Sequence, residues 1–217
     1  MRYKLAIFDL DGTILDTLQD LTDAVNYVLE KYGYKKASIK EVRKNLGYGG
    51  VNLISKVLGQ QVEKEKFNEI YKNYLDYYSA HCDIKTEPYE GIYQMLENLK
   101  KAGMKLAVVS NKGDRQVQIL VESHFKGLFD FAHGERKNVK RKPDREAIIS
   151  IVNEFGFDVK ECIYIGDSEV DLLTAKNSGM DHIIVDFGFR DYQFLKDAGA
   201  EVILSSASEI ESFLLDR

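Results

Sequence analysis

A chain of 217 residues, 44% hydrophobic and 30% charged with only two prolines, can bury an ordinary core, which excludes a disordered or fibrous protein. Its net charge of −5 gives no general attraction for nucleic acid or an anionic membrane surface, so neither is expected as a partner. No stretch approaches the ~20 apolar residues of a membrane span, and the N-terminal apolar run is too short for a signal-peptide core, so a cytoplasmic location is expected.

Residues 3–8, YKLAIF, predict a buried strand that ends on Asp9-Leu10-Asp11-Gly12, where glycine permits a sharp turn. Residues 15–83 then show helical periodicity and no convincing strand. Leu18, Leu21, Val25, Val28, Leu29 and Tyr32 share one helical face, and Phe67, Ile70, Tyr71, Tyr74, Leu75 and Tyr78 form a second stripe, which reads as packing inside a helical insertion. Asp16 and Thr17 stand at the entry to that insertion as hinge and helix cap. Between its helices lies Asn45-Leu46-Gly47-Tyr48-Gly49-Gly50, a turn whose glycines suit either a helix connection or close approach to a ligand.

Further strands are predicted at 105–109, 162–165, 182–185 and 201–204, alternating with helical patterns, which implies a parallel sheet covered on both faces. The fold class is therefore α/β, a Rossmann-like three-layer core formed by residues 1–14 and 84–217, with residues 15–83 inserted as a helical cap. Cys82 and Cys162 read as small buried hydrophobes. The four histidines have no metal-like spacing, and no G-x-x-x-x-G-K-[ST] loop is present. Lys140, Arg141 and Lys142 form a local basic patch able to hold a phosphate.

Ligands of open parallel sheets sit at the carboxyl ends of the strands, and acidic, hydroxyl and basic residues gather there. Asp9 and Asp11, two apart in an extended segment, project to the same side. One carboxylate is then available to attack phosphorus and the other to pass a proton to the leaving oxygen; attack is assigned to Asp9 and proton transfer to Asp11. A plain helix-capping turn would use the same residue types.

Phe-Asp-Leu-Asp-Gly-Thr-Ile-Leu-Asp-Thr at 8–17 resembles the first motif of the haloacid dehalogenase superfamily of phosphohydrolases. A match to its core pattern arises by chance in roughly 1% of chains this long, so the later motifs decide the matter. They follow in order: Ser110-Asn111 after KLAVV, Lys142-Pro143 before a helix, and Gly166-Asp167-Ser168-Glu169-Val170-Asp171 after CIYI. In this setting Ser110 and Asn111 donate to phosphate oxygens from near a helix start, Lys142 offsets charge, and Pro143 suits a first helical turn.

The resemblance implies Mg²⁺ as cofactor, held by Asp9, Asp167 and the main-chain carbonyl of Asp11, with Asp171 better placed to hold Lys142 or a metal-bound water. It further implies a phosphatase acting on a small phosphorylated metabolite through an aspartyl-phosphate, similar to the phosphoglycolate phosphatase branch, with Gly47, Tyr48 and Gly49 of the cap reading the leaving group. Nucleotidase, pyrophosphatase and β-phosphoglucomutase-like chemistry are the alternatives, and a non-catalytic binding protein is the rival from another class. Gly166 stands where the mutases carry glutamate, and Asp11 argues against carbon–halogen cleavage. Oligomeric state is not legible in the sequence.

Overall fold

The computed structural model describes residues 2–59 and 61–216. Strand β1 (Leu5–Phe8) is buried along its whole length, because LAIF offers apolar side chains to both faces, as a parallel strand between two helical layers requires. Leu5 and Ile7 pack with Ile148 and Ile151, whereas Ala6 and Phe8 join Leu96 and Leu106 on the opposite side. The period of two thus divides one short strand between two cores.

Beyond β1 the chain passes through β2 (Leu15–Asp16), α1 (Leu18–Lys31), α2 (Ile39–Lys44), α3 (Gly50–Leu58) and α4 (Lys64–His81), and returns along β3 (Glu87–Pro88). β2 and β3 pair antiparallel, Leu15 opposite Pro88 and Asp16 opposite Glu87, so the outgoing and returning chains are tied in one ribbon. Strands this short leave no periodicity to read, and the sequence does not predict them. Leu21, Val25, Val28 and Leu29 of α1 are buried, as are Ile70, Tyr74 and Tyr78 of α4, and these two helices pack on each other. Thr17 precedes α1 but makes no side-chain cap; the carboxylate of Asp16 accepts the Leu18 N–H at 3.1 Å instead, while the Thr17 hydroxyl turns to Asp11.

The remaining elements are α5 (Ile92–Lys101), β4 (Lys105–Gly113), α6 (Asp114–Phe125), β5 (Phe131–Glu135), α7 (Glu146–Phe155), β6 (Cys162–Gly166), α8 (Glu169–Ser178), β7 (Asp181–Val185), α9 (Tyr192–Asp197), β8 (Ile203–Leu204) and α10 (Ala207–Leu215). The main sheet has the order β5-β4-β1-β6-β7-β8 with every neighbouring pair parallel, the α/β architecture expected. β5 lies outside the predicted set. Its FAHGE sequence has no apolar run, and at the sheet edge all five residues are only half-buried, which an edge position tolerates.

From β1 the chain builds outward through β4 and β5, then crosses back to β6 on the other side of β1. That reversal opens a crevice above the carboxyl ends of β1, β4 and β6, and the four-helix region lies over it. Among the described residues no helix is long and apolar enough to cross a membrane.

Candidate active site

Asp9 is the first residue past β1 and is buried. Its Oδ1 accepts the Leu10 N–H at 2.7 Å and lies 2.9 Å from Lys142 Nζ. Burial pushes the carboxyl up to about 6, with the Lys142 ammonium pulling the other way.

Lys142 is not the solvated residue that lysine usually is. Only 5% exposed, its ammonium reaches Asp9 Oδ1 at 2.9 Å, Asp171 Oδ1 at 2.8 Å and the Tyr164 hydroxyl at 3.0 Å, so three donors meet three acceptors. Burial alone would depress it, yet the Asp171 and Asp9 carboxylates together hold it well above the usual lysine range. The expected basic patch is divided: Lys140 pairs with Asp144 at 3.4 Å and Arg141 with Glu135 at 3.6 Å. Pro143 lies ahead of α7, which starts at Glu146, rather than in its first turn. Tyr164 is missed by the sequence reading, although a tyrosine inside the apolar run CIYI carries a hydroxyl that must find a partner when buried.

Asp167 follows β6 and is buried, with Oδ2 accepting the Phe189 N–H at 2.6 Å. Burial first, then the Asp171 and Asp9 charges, hold its carboxyl well above the ordinary carboxylate range. Asp171 has both oxygens engaged: Oδ1 by Lys142 and by Tyr164 at 3.0 Å, Oδ2 by the Ser168 hydroxyl at 2.6 Å and the Ser168 N–H at 3.2 Å. It closes the capping box of α8 and anchors Lys142 at once.

Carboxylate oxygens of Asp9, Asp167 and Asp171 all lie within 4.8 Å of one another. One lysine cannot neutralise three buried carboxylates, so the cluster fits a hard divalent cation with oxygen ligands. Gly12, at φ +84°, lets the chain pass against this group, for a side chain there would collide with the Asp167 carboxylate. Gly166 has the same role on the other side, where a Cβ would run into the Asp171 carboxyl.

Ser110 and Asn111 lie inside β4, not at the cap of α6, whose N-cap is Gly113. The ladder to β5 is irregular between Val109 and Gly113. The Asn111 amide is committed to protein: its Nδ2 donates to the carbonyls of Gly47 at 2.9 Å and Lys142 at 3.0 Å, and its Oδ1 accepts the Lys142 N–H at 2.9 Å. It stitches the Lys142 segment to the helical region. Ser110, Asp9, Asp11, Asn111, Lys112, Gly113 and Asp167 border one cleft of about 700 Å³, its open mouth included. Both Asp11 oxygens are held by Lys112, at 2.7 and 2.9 Å, and Oδ1 also accepts from Thr17 at 2.6 Å. Lys112 has no assigned role in the sequence reading; a lysine directly after Ser110-Asn111 at a strand tip is the only signal that could have marked it.

The facing wall comes from the helical region: Leu21, Gly47, Gly49, Tyr71, Tyr74 and Tyr78 among others. The tyrosine stripe of α4 is therefore cavity wall as well as packing. Gly47 and Gly49 border the cleft, but Tyr48 is 42% exposed and turns to Glu169. Two arginines clasp the helical region to the loop after β7. Arg43 donates to the carbonyls of Phe189 at 2.9 Å and Gly188 at 2.8 Å, and Arg190 donates to those of Arg43 at 3.2 Å and Leu46 at 3.0 Å while pairing with Glu169. Neither arginine stands out in the sequence, because the carbonyls they meet carry no residue signature.

A family model described as haloacid dehalogenase-like hydrolase matches residues 6–185. A phosphoglycolate phosphatase of Mesorhizobium japonicum is 30% identical over 199 residues, covering 88% of this chain and 86% of that protein. One from Psychrobacter arcticus is 30% identical with coverage of 99% and 97%. The crystal structure of a candidate phosphoglycolate phosphatase from Lactobacillus delbrueckii subsp. bulgaricus shares 40% of residues and superposes over 100% of both chains with a TM-score of 0.93.

Proposed function

The chain belongs to the haloacid dehalogenase-like hydrolases and is a phosphatase of that family, and from this premise we propose that it hydrolyses a small phosphate monoester in a Mg²⁺-dependent reaction through an aspartyl-phosphate on Asp9. The observation that carries the reading is the placement of Asp9, with one oxygen fixed by the Leu10 N–H and Lys142 beside the cleft. A carboxylate so held attacks without first having to be positioned.

Asp9 bonds to phosphorus as the ester P–O bond breaks, and Asp11 passes a proton to the departing oxygen. Water then attacks the phosphorus of the aspartyl-phosphate, Asp11 takes up its proton, and orthophosphate leaves with the Asp9 carboxylate restored. Ser110 and the backbone N–H of Asn111 bind the phosphoryl oxygens, and the Lys142 ammonium beside Asp9 offsets their charge as part of the phosphate site. Asp9, Asp167 and the Asp11 carbonyl hold Mg²⁺, which when bound offsets phosphoryl charge that would repel the nucleophile; Asp171 acts on Lys142, to which its Oδ1 is committed.

Residues 15–83 serve as the cap, with the turn at Gly47 and Gly49 among its specificity elements. Phosphoglycolate, the ester for which the relatives are named, is the favoured substrate. Gly166 counts against the mutase alternative, because a glutamate there would displace Asp171. With phenyl phosphate and Mg²⁺ the wild type is expected to release orthophosphate, and Asp9→Asn to lose at least about 10³-fold in kcat. Full activity in the variant, or none in the wild type, would overturn the reading.

A further inference from the structure

Among the described residues several cations stand at the cleft or beside it, and most are already committed, Arg141 to Glu135 among them. Lys142 divides its ammonium among Asp9, Asp171 and Tyr164. Arg190 is bound to Glu169 and to the carbonyls of Arg43 and Leu46.

Lys112 differs. It is 8% exposed and borders the cleft. Its ammonium lies 2.7 and 2.9 Å from the two Asp11 oxygens and 4.7 Å from the centre of the Tyr78 ring. Among the described residues no other acceptor meets it, so one of its three N–H donors is left over. Beside it the buried Tyr78 hydroxyl has no hydrogen-bond partner among the described residues, so it is free to donate to a ligand. Burial, then the Asp11 charge, keeps that hydroxyl protonated far above its ordinary range. Tyr74, Leu21 and Leu53 complete the surroundings, a low-dielectric setting in which a cation with spare donor capacity favours an anion.

Building on the phosphatase reading above, we propose that Lys112 is a specificity-determining residue that binds a carboxylate on the leaving group of the substrate, exchanging its pairing with Asp11 for one with the substrate. No covalent bond changes in the exchange, and the cation stays paired throughout. The Tyr78 ring supports the ammonium in either arrangement. Asp11 keeps the Thr17 hydroxyl on Oδ1 at 2.6 Å and gains a free Oδ2, the oxygen it needs to face the leaving group. An ester without a carboxylate has nothing to exchange for that pairing, so Asp11 is freed less often and the ester turns over more slowly. Substrate selection and release of the proton-transferring group are thus one event.

The test compares 2-phosphoglycolate with phenyl phosphate, both with Mg²⁺, in wild type, Lys112→Met and Lys112→Arg. The wild type is expected to prefer phosphoglycolate. Lys112→Met loses roughly 100-fold in kcat/KM on phosphoglycolate, mainly through KM, so that the ratio between the substrates collapses, and Lys112→Arg recovers part of that ratio. If Lys112→Met lowers both substrates by the same factor, Lys112 only orients Asp11 and the proposal fails. It fails too if the wild type hydrolyses phenyl phosphate without preferring phosphoglycolate, an outcome that leaves the phosphatase reading standing. Release from neither ester overturns both. Should Lys112→Met not fold, Lys112→Arg decides alone: a ratio shifted toward phenyl phosphate supports the proposal, and an unchanged ratio with lower activity on both overturns it.

Discussion

The two walls of the cleft are built on opposite principles. On the sheet side the charged groups around the nucleophile have their positions set by several partners at once: Lys142 by three acceptors, Asp171 by four donors, Asp9 by a backbone amide and a lysine. On the helical side the lining is apolar or aromatic, with a glycine turn that lets two backbones approach. Positions fixed by many partners suit chemistry, which needs atoms held to fractions of an ångström. A smooth wall fixed mainly by packing suits the body of a leaving group, whose charged end meets Lys112 on the sheet side.

Lys142→Met attacks the over-determined side and has the largest expected effect on stability. Removing one partner of a buried charge cluster leaves the others unpaired, at a cost of about 3–5 kcal/mol in stability. The phosphoryl group also loses a cation, so kcat falls by about 10² to 10³. Urea unfolding and phosphate release measure the two together; a variant as stable as the wild type would break the view that this wall is held by its charges.

Asp167→Asn has a smaller effect and, for stability, the opposite sign. A carboxyl held above its ordinary value makes ionisation costly for the folded state. Without metal, that penalty is absent below the ordinary carboxylate range near pH 4 and grows as pH rises through the folded value. The asparagine variant should therefore match the wild type near pH 4 and exceed it at pH 7.5 by about 1–2 kcal/mol, or ~2–8 °C in thermal midpoint for a chain of this size, while losing activity. Asp9→Asn should show the same trend, with the gain nearly complete above about pH 6. Melting curves in a chelator from pH 4 to 8 check both, and a gain that shrinks toward high pH would contradict the assignment of burial as the cause.

The smallest effect belongs to the helical side. Arg43→Gln removes two bonds to the loop after β7, and KM is expected to rise about three- to tenfold with kcat changed less. A fall in kcat alone would show that this clasp acts on Asp167, which accepts the Phe189 N–H, rather than on the cap wall of the cleft.

The sheet side is also the side that the sequence makes legible. Apolar runs such as LAIF and KLAVV announce strands because a doubly covered strand has no alternative composition, and the motif residues sit at their ends. What the pattern cannot show is which partner a side chain chooses. Thr17 has the composition of a helix cap but bonds to Asp11, Asn111 has that of a phosphate ligand but spends its amide on Gly47 and Lys142, and Lys112 looks like any lysine. β5 and the β2–β3 ribbon go unpredicted because edge position and two-residue length remove the constraints that leave a periodic trace. The tyrosines of α4 read as core since helical spacing is the same whether the far side is protein or cavity.

Gly166 sets a limit on what this chain can become. Any side chain there meets the Asp171 carboxyl, and Asp171 is what anchors Lys142. A single mutation toward the glutamate of the mutases would thus unseat the lysine that serves the nucleophile before any new chemistry could begin. A glutamate at this position therefore needs a second change that makes room at Asp171, so the missing methyl-sized space at Gly166 ties its identity to the anchoring of Lys142.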